Sequence, residues 1–272
     1  MKARKLPVKA YQNQEFLKSP AARTIRILSE FYEPKDRFER NNILDTIVFF
    51  GSARLLSEKD AKRNLNKVKK EFKEKKNFKQ KLKEAEKLLQ NSRYYEEAVE
   101  LSRRLTEWSK KISNGGSRFI ICSGGGPGIM EAANKGAKLA GGKSIGLNIS
   151  IPYEQFVNKY VDPELSFEFH YFFMRKFWFA YLAKALVVFP GGFGTLDELM
   201  EILTLTQTGK IKKEMIIVVY DENYWSKIID FNSLLEAGMI ARKDLKLFSF
   251  ANSVEDAFKL ITEHFNKYYL NK

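Results

Sequence analysis

The chain has 272 residues, 44% of them hydrophobic, which is enough for one full core or two small ones. No apolar run reaches the roughly 18 residues of a membrane span, and the basic start MKARKLPVKAYQNQ lacks the apolar centre of a secretory signal. A formal net charge of +14 raises the question of a polyanionic partner, while one cysteine, Cys122, and two histidines, His170 and His264, exclude an intrachain disulfide and zinc-ligand spacing and fit a reducing cytoplasm.

Residues 1–26 hold seven Lys/Arg and one acid. A tail over the first twenty residues and a helix over 22–40 make an N-terminal unit of 1–44, followed by an α/β domain over 45–272. The first strand is Thr46–Phe50, ending in the turn FFGSAR with Gly51 and Ser52. Residues 57–93 follow, with fourteen Lys/Arg, six acids and sparse apolar positions (Leu65, Val68, Phe72, Phe78, Leu82, Leu88). This pattern predicts a solvated helix or helical hairpin inserted after the first strand. The remainder of the chain carries 26 basic and 26 acidic residues, so the excess charge sits on the tail and the insert. Nucleic-acid association through those two segments is therefore one alternative function.

Next come a helix over 94–112, a strand Arg118–Cys122, the turn SGGGPGIM, a helix over 128–140 and a strand Ser144–Asn148. An aromatic helix over 172–183 leads into a strand Ala185–Phe189, the turn FPGGFGT and a helix over 195–208. A strand Met215–Tyr220, a helix over 222–237, a strand Leu247–Phe250 and a helix over 254–268 complete the chain. Strands alternating with helices predict a Rossmann-like, doubly wound parallel sheet covered on both faces. The three glycine turns then lie beyond strand carboxyl ends, where such sheets bind ligands.

A glycine turn opening a helix presents unpaired N–H groups to an anion. Gly51 and Ser52 after the first strand, Gly124, Gly125, Gly126 and Met130 in the second turn, and Gly191, Gly192 and Gly194 in the third are candidate substrate contacts, the glycines suiting a phosphate, with Pro127 at the first position of its helix. The dinucleotide fingerprint fails, because Ile129 stands where its third glycine belongs and the third strand ends at Asn148 without a ribose-binding acid. GAKLAGGKS (136–144) resembles a P-loop, but Ala137 occupies the first glycine position. A mononucleotide or sugar phosphate fits better.

Thr195-Leu-Asp-Glu198 has two readings. It is a capping box, with Glu198 reaching back to the helix start; or Asp197 and Glu198 stand at the mouth of an anion site and act on the part of the ligand that is not phosphate. In FHYFFMRKFWFAYLAK (169–184), Arg175 and Lys176 are the only charges in about fifteen residues. They either snorkel from a buried helix or hold a phosphate rigidly. His170 in that run reads as a core histidine.

GGGPGIMEAAN, Arg175-Lys176 and PGGFGTLDE, whose proline follows Arg175 by fifteen residues, resemble the LONELY GUY (LOG) family, with its motif P-G-G-x-G-T-x-x-E. The resemblance covers roughly residues 45–250, including IPYEQF, and is nearest to the longer bacterial members. Members were often labelled lysine decarboxylases. The family activity is that of a nucleoside 5′-monophosphate phosphoribohydrolase, so the resemblance implies cleavage of a nucleotide such as AMP to free base and ribose 5-phosphate. It implies Arg175 and Glu198 as catalytic residues, and Lys176, Gly191, Gly192, Gly194, Thr195, Asp197 and Thr204 as nucleotide contacts. It also implies a homodimer or higher homo-oligomer with the site near the subunit boundary, and neither a metal nor a cofactor. Lys184 stands where members usually carry an acid. A nucleotide-binding regulator without catalysis is a second alternative; intact Arg175 and Glu198 argue against it.

Overall fold

The computed structural model describes residues 6–71, 73, 77–112, 118–151 and 156–270; Phe72 and most of IPYEQF lie outside these. Seven strands form one sheet: β1 (Thr46–Phe50), β2 (Ile120–Ser123), β3 (Ser144–Ile149), β4 (Ser166–Phe169), β5 (Ala183–Val188), β6 (Ile216–Tyr220) and β7 (Ser249–Ala251). Their order is β4-β3-β2-β1-β5-β6-β7, and every pairing is parallel. All five residues of the first strand, TIVFF, are buried, as a parallel sheet covered on both faces requires.

Side chains alternate between two cores. On one face Val48, Leu147 and Leu186 meet α2 (Arg23–Arg40), α6 (Phe172–Leu182) and α7 (Phe193–Gln207) through Phe38, Trp178 and Leu199. On the other, Ile47, Phe49 and Val187 meet α4 (Phe78–Ile112), α5 (Ile129–Leu139) and α10 (Val254–Phe265) through Leu101, Ala133 and Ile261. The α2 helix is bound into the first core: the Trp178 indole donates to the Glu30 carbonyl at 2.9 Å, and Phe38 packs on Phe167.

Several expectations change, among them β5 and β7, which start two residues earlier and two later than expected. The segment 57–93 is a helical hairpin of α3 (Glu58–Glu71) and the start of α4, but no boundary exists at residue 93, because one 35-residue helix runs on into the core. Residues 78–112 contain neither Gly nor Pro, and their Lys, Glu, Leu and Arg are strong helix formers. The edge strand β4 was not anticipated. It has four residues, with Phe167 and Phe169 turned inward and Glu168 outward. The helix expected over 222–237 is two short ones, α8 (Glu222–Trp225) and α9 (Phe231–Glu236), because Asp230 caps a new start through the Ser233 amide. The second strand begins two residues late, since Phe119 takes a φ of 53° while its amide donates to Asp45. Among the described residues, no helix is long and apolar enough to cross a membrane.

Candidate active site

The three glycine turns lie together beyond the carboxyl ends of β1, β2 and β5. The neighbours β1 and β5 flank the point where strand order reverses, the usual crevice of such sheets. The turns are tied to one another: the Ser52 amide donates to the Pro190 carbonyl at 3.0 Å, and the Ile129 amide donates to the Ser52 carbonyl at 3.1 Å. A Cβ on Gly51 would lie 2.6 Å from Ile129, one on Gly124 would lie 2.6 Å from the Met130 sulfur, and one on Gly191 would strike the Thr195 side chain. Those glycines and Met130 therefore serve close packing within the chain. Gly192 and Gly194 differ, because a Cβ on either would meet nothing within 4 Å.

Sequence reasoning missed what holds the second turn. Buried Asn134 accepts from the Ser123 hydroxyl at 2.7 Å and donates to Ser144 at 2.6 Å. Asn158 donates to the Gly125 and Gly126 carbonyls at 2.9 and 3.0 Å, and to Asn134 at 2.9 Å. Pro127 is not the first helical residue: α5 starts at Ile129, with Gly128 as its cap.

The capping-box reading of Thr195 and Glu198 is overturned. The α7 helix starts at Phe193 with Gly192 as its cap and no capping side chain, which places Thr195 inside the first turn. The amides of Thr195 and Leu196 donate back to the Gly192 carbonyl, whereas those of Phe193 and Gly194 have no acceptor among the described residues. Glu198 turns toward α6 instead of its own helix end. Its carboxylate lies 3.8 Å from Arg175 Nη2 and 3.4 Å from Lys176 Nζ. Lys176 also reaches Asp197 at 2.8 Å and Glu201 at 2.7 Å.

The snorkelling reading also fails, since the Arg175 and Lys176 side chains are only 16% and 15% exposed, and Glu198 is 6% exposed. Burial pushes the Glu198 carboxyl above the usual range, against the pull of Lys176 and Arg175. Burial also lowers the Arg175 guanidinium, against the neighbouring carboxylates of Glu198, Asp197 and Glu168. For Lys176, burial disfavours the charge, but its bonds to Asp197 and Glu201 outweigh this and raise the ammonium. Among the described residues the Arg175 guanidinium makes no hydrogen bond, and its buried Nε has no partner. Its planar face lies near the rings of Phe172 and Phe179.

An open groove of about 640 Å³ runs along α7, lined by Lys176, Phe193, Leu196, Asp197, Met200, Glu201, Thr204 and Leu205. The predicted residues therefore fall into three groups. Lys176, Asp197 and Thr204 line the groove; Arg175, Thr195 and Glu198 lie behind it on the buried side of α7; the glycine turns close the strand ends. Glu201 was not anticipated, although its spacing of four from Asp197 and three from Glu198 places it beside both on a helix. His170 is exposed rather than in the core, and its amide donates to Glu30 at 2.8 Å. Lys184 stands at the start of β5, the end of the sheet remote from this site, over the Tyr269 ring.

A model of the family described as "Possible lysine decarboxylase" matches residues 130–261. The cytokinin riboside 5′-monophosphate phosphoribohydrolase LOG7 of Arabidopsis thaliana is 24% identical over 173 residues, spanning 63% of this chain and 75% of that one. The corresponding LOG3 enzyme of the same plant is 25% identical over 175 residues, 64% of this chain and 76% of that one. The chain is similar to LOG-family proteins. The matched region takes in the Arg175-Lys176 pair and the whole glycine-to-Glu198 motif, and omits β1 and the basic hairpin. Among solved structures, the Moco carrier protein from Chlamydomonas reinhardtii aligns at 20% identity over 82% of this chain and 99% of that chain, with a TM-score of 0.44.

Proposed function

We propose that this chain hydrolyses the N-glycosidic bond of a nucleoside 5′-monophosphate such as AMP, yielding free base and ribose 5-phosphate. The observation that carries the reading is the buried Arg175–Glu198 pair, a guanidinium with no acceptor beside a carboxylate with raised proton affinity. Buried charges that are not fully paired are costly, and they persist where a ligand completes them.

The unpaired amides of Phe193 and Gly194 and the clear space over Gly192 and Gly194 suit a phosphoryl group. Phosphate binding there orients the sugar toward Glu198. As the bond from C1′ to the base nitrogen lengthens, ionised Glu198 stabilises the oxocarbenium-like centre and accepts a proton from the attacking water. The water oxygen bonds to C1′, the bonding pair leaves with the base, and the proton passes to the base. Arg175 binds an anionic or hydroxyl oxygen of the nucleotide with its free donors. Glu198 must be ionised, so the rate falls as pH drops through its raised pKa. We infer a homodimer as well, because Phe172, Phe173 and Phe193 are exposed beside the site.

The test is a panel of nucleoside monophosphates, with free base followed by chromatography. Wild type releases base and Glu198→Gln does not. Equal release by both removes Glu198 from the chemistry, and no release from any monophosphate removes the reaction.

A further inference from the structure

Three carboxylates of α7 converge on the Lys176 ammonium, at 2.7 Å for Glu201, 2.8 Å for Asp197 and 3.4 Å for Glu198. An ammonium has three donors and no more, so Lys176 has none left for a nucleotide while this arrangement holds. The ammonium also leans away from Glu198, the most deeply buried of the three, toward the two acids at the groove. We propose that Glu201 is a positioning residue: it holds the Lys176 ammonium off Glu198 and so keeps the Glu198 carboxylate available to accept a proton. The inference rests on the reaction proposed above for its purpose, but not for its geometry.

The charged groups facing Glu198 are Lys176 and Arg175 from α6 and Glu201 from its own helix; Asp197 and Glu168 of β4 act on Arg175. Replacing Glu201 with glutamine removes a repelling charge and frees Lys176 to move onto Glu198. Both changes weaken the hold of Glu198 on a proton. Asp197 is the more exposed acid and keeps one bond to Lys176 in that variant, so the ammonium remains in the cluster, within reach of Glu198.

The experiment is a carbon-13 NMR titration of glutamate carboxyl groups, with the Glu198 signal assigned by its loss in Glu198→Gln. It compares wild type, Glu201→Gln and Glu201→Asp, each checked for native near-ultraviolet circular dichroism. Should Glu201→Gln not fold, Asp197→Asn takes its place, with a shift in the same direction. The Glu198 midpoint falls in Glu201→Gln by about threefold or more in proton affinity, and Glu201→Asp returns toward wild type. An unmoved midpoint overturns the proposal, since a merely structural Glu201 would leave it in place. The readout needs no turnover. A shifted midpoint in a protein that cleaves no monophosphate sinks the reaction and keeps the ion hub; base release with an unmoved midpoint does the reverse.

Discussion

At the amino ends of the strands, buried Asp45 accepts from Arg118 at 3.0 and 2.8 Å and from the Phe119 amide, while Lys213 donates to the Ala180 and Tyr181 carbonyls at 2.6 and 2.8 Å. At the carboxyl ends, the Arg175 guanidinium is about as buried yet has no hydrogen bond among the described residues, and Glu198 meets its cations at 3.4 Å and beyond. Both edges gather charge from comparable elements of one sheet. The first edge spends its donors and acceptors within the chain, which is what a structural role asks. The second leaves donors open where glycines clear space, which is what a ligand asks.

Four substitutions test that contrast. The largest effect is expected from Glu198→Gln, which lowers base release by about a thousandfold or more with little change in melting temperature, measured by initial rates and calorimetry. Asp45→Ala does the opposite: it strips the partners from Arg118 and Phe119 and destabilises the fold by about 2–4 kcal/mol. Urea titration reads that loss, while the rate per folded molecule stays level. A thousandfold rate loss in Asp45→Ala would erase the contrast.

Gly194→Ala sharpens it. Alanine in a helix is better than glycine by about 0.5–1 kcal/mol, and its Cβ meets nothing in the chain. Stability therefore rises while monophosphate affinity falls, by urea titration and calorimetric binding; unchanged affinity would leave the open space without a ligand to explain it. The smallest effect concerns Lys213. Burial, with help from Lys184, lowers this amine from 10.5 to about 7 in the fold. Between those values the unfolded chain holds the extra proton, so stability rises with pH across the window, and the gain is lost as pH falls through about 7. Urea midpoints climb over that window in wild type and run flatter in Lys213→Met.

Long apolar strands such as TIVFF and ALVV were legible in the sequence because burial on both faces leaves little else for such runs to be. SFEF was not, because four residues at an edge carry too few inward positions to stand out. The glycine turns were legible as turns, but their division into packing glycines and open ones was not. Only the position of Ile129, Met130 and Thr195 in space separates Gly51, Gly124 and Gly191 from Gly192 and Gly194. Thr195 with Glu198 copies a cap so well that local pattern could not choose; the earlier start at Phe193 decides it. Asn134 and Asn158 stayed hidden because their pairing spans 24 residues. The exchanged charge at Lys184 proves remote from the site, facing Tyr269 and the Asp45–Arg118 pair.

The unbroken course of α4 has a mechanical consequence. Its distal turns meet α3, and its later turns carry Tyr94, whose hydroxyl donates to Asp221 at 2.6 Å beyond the end of β6. With no hinge between these stretches, the basic arm cannot swing alone; pulling its tip bends the rod or levers the ground beside the site. A spin label at Lys83, within α4, will tumble with the whole body.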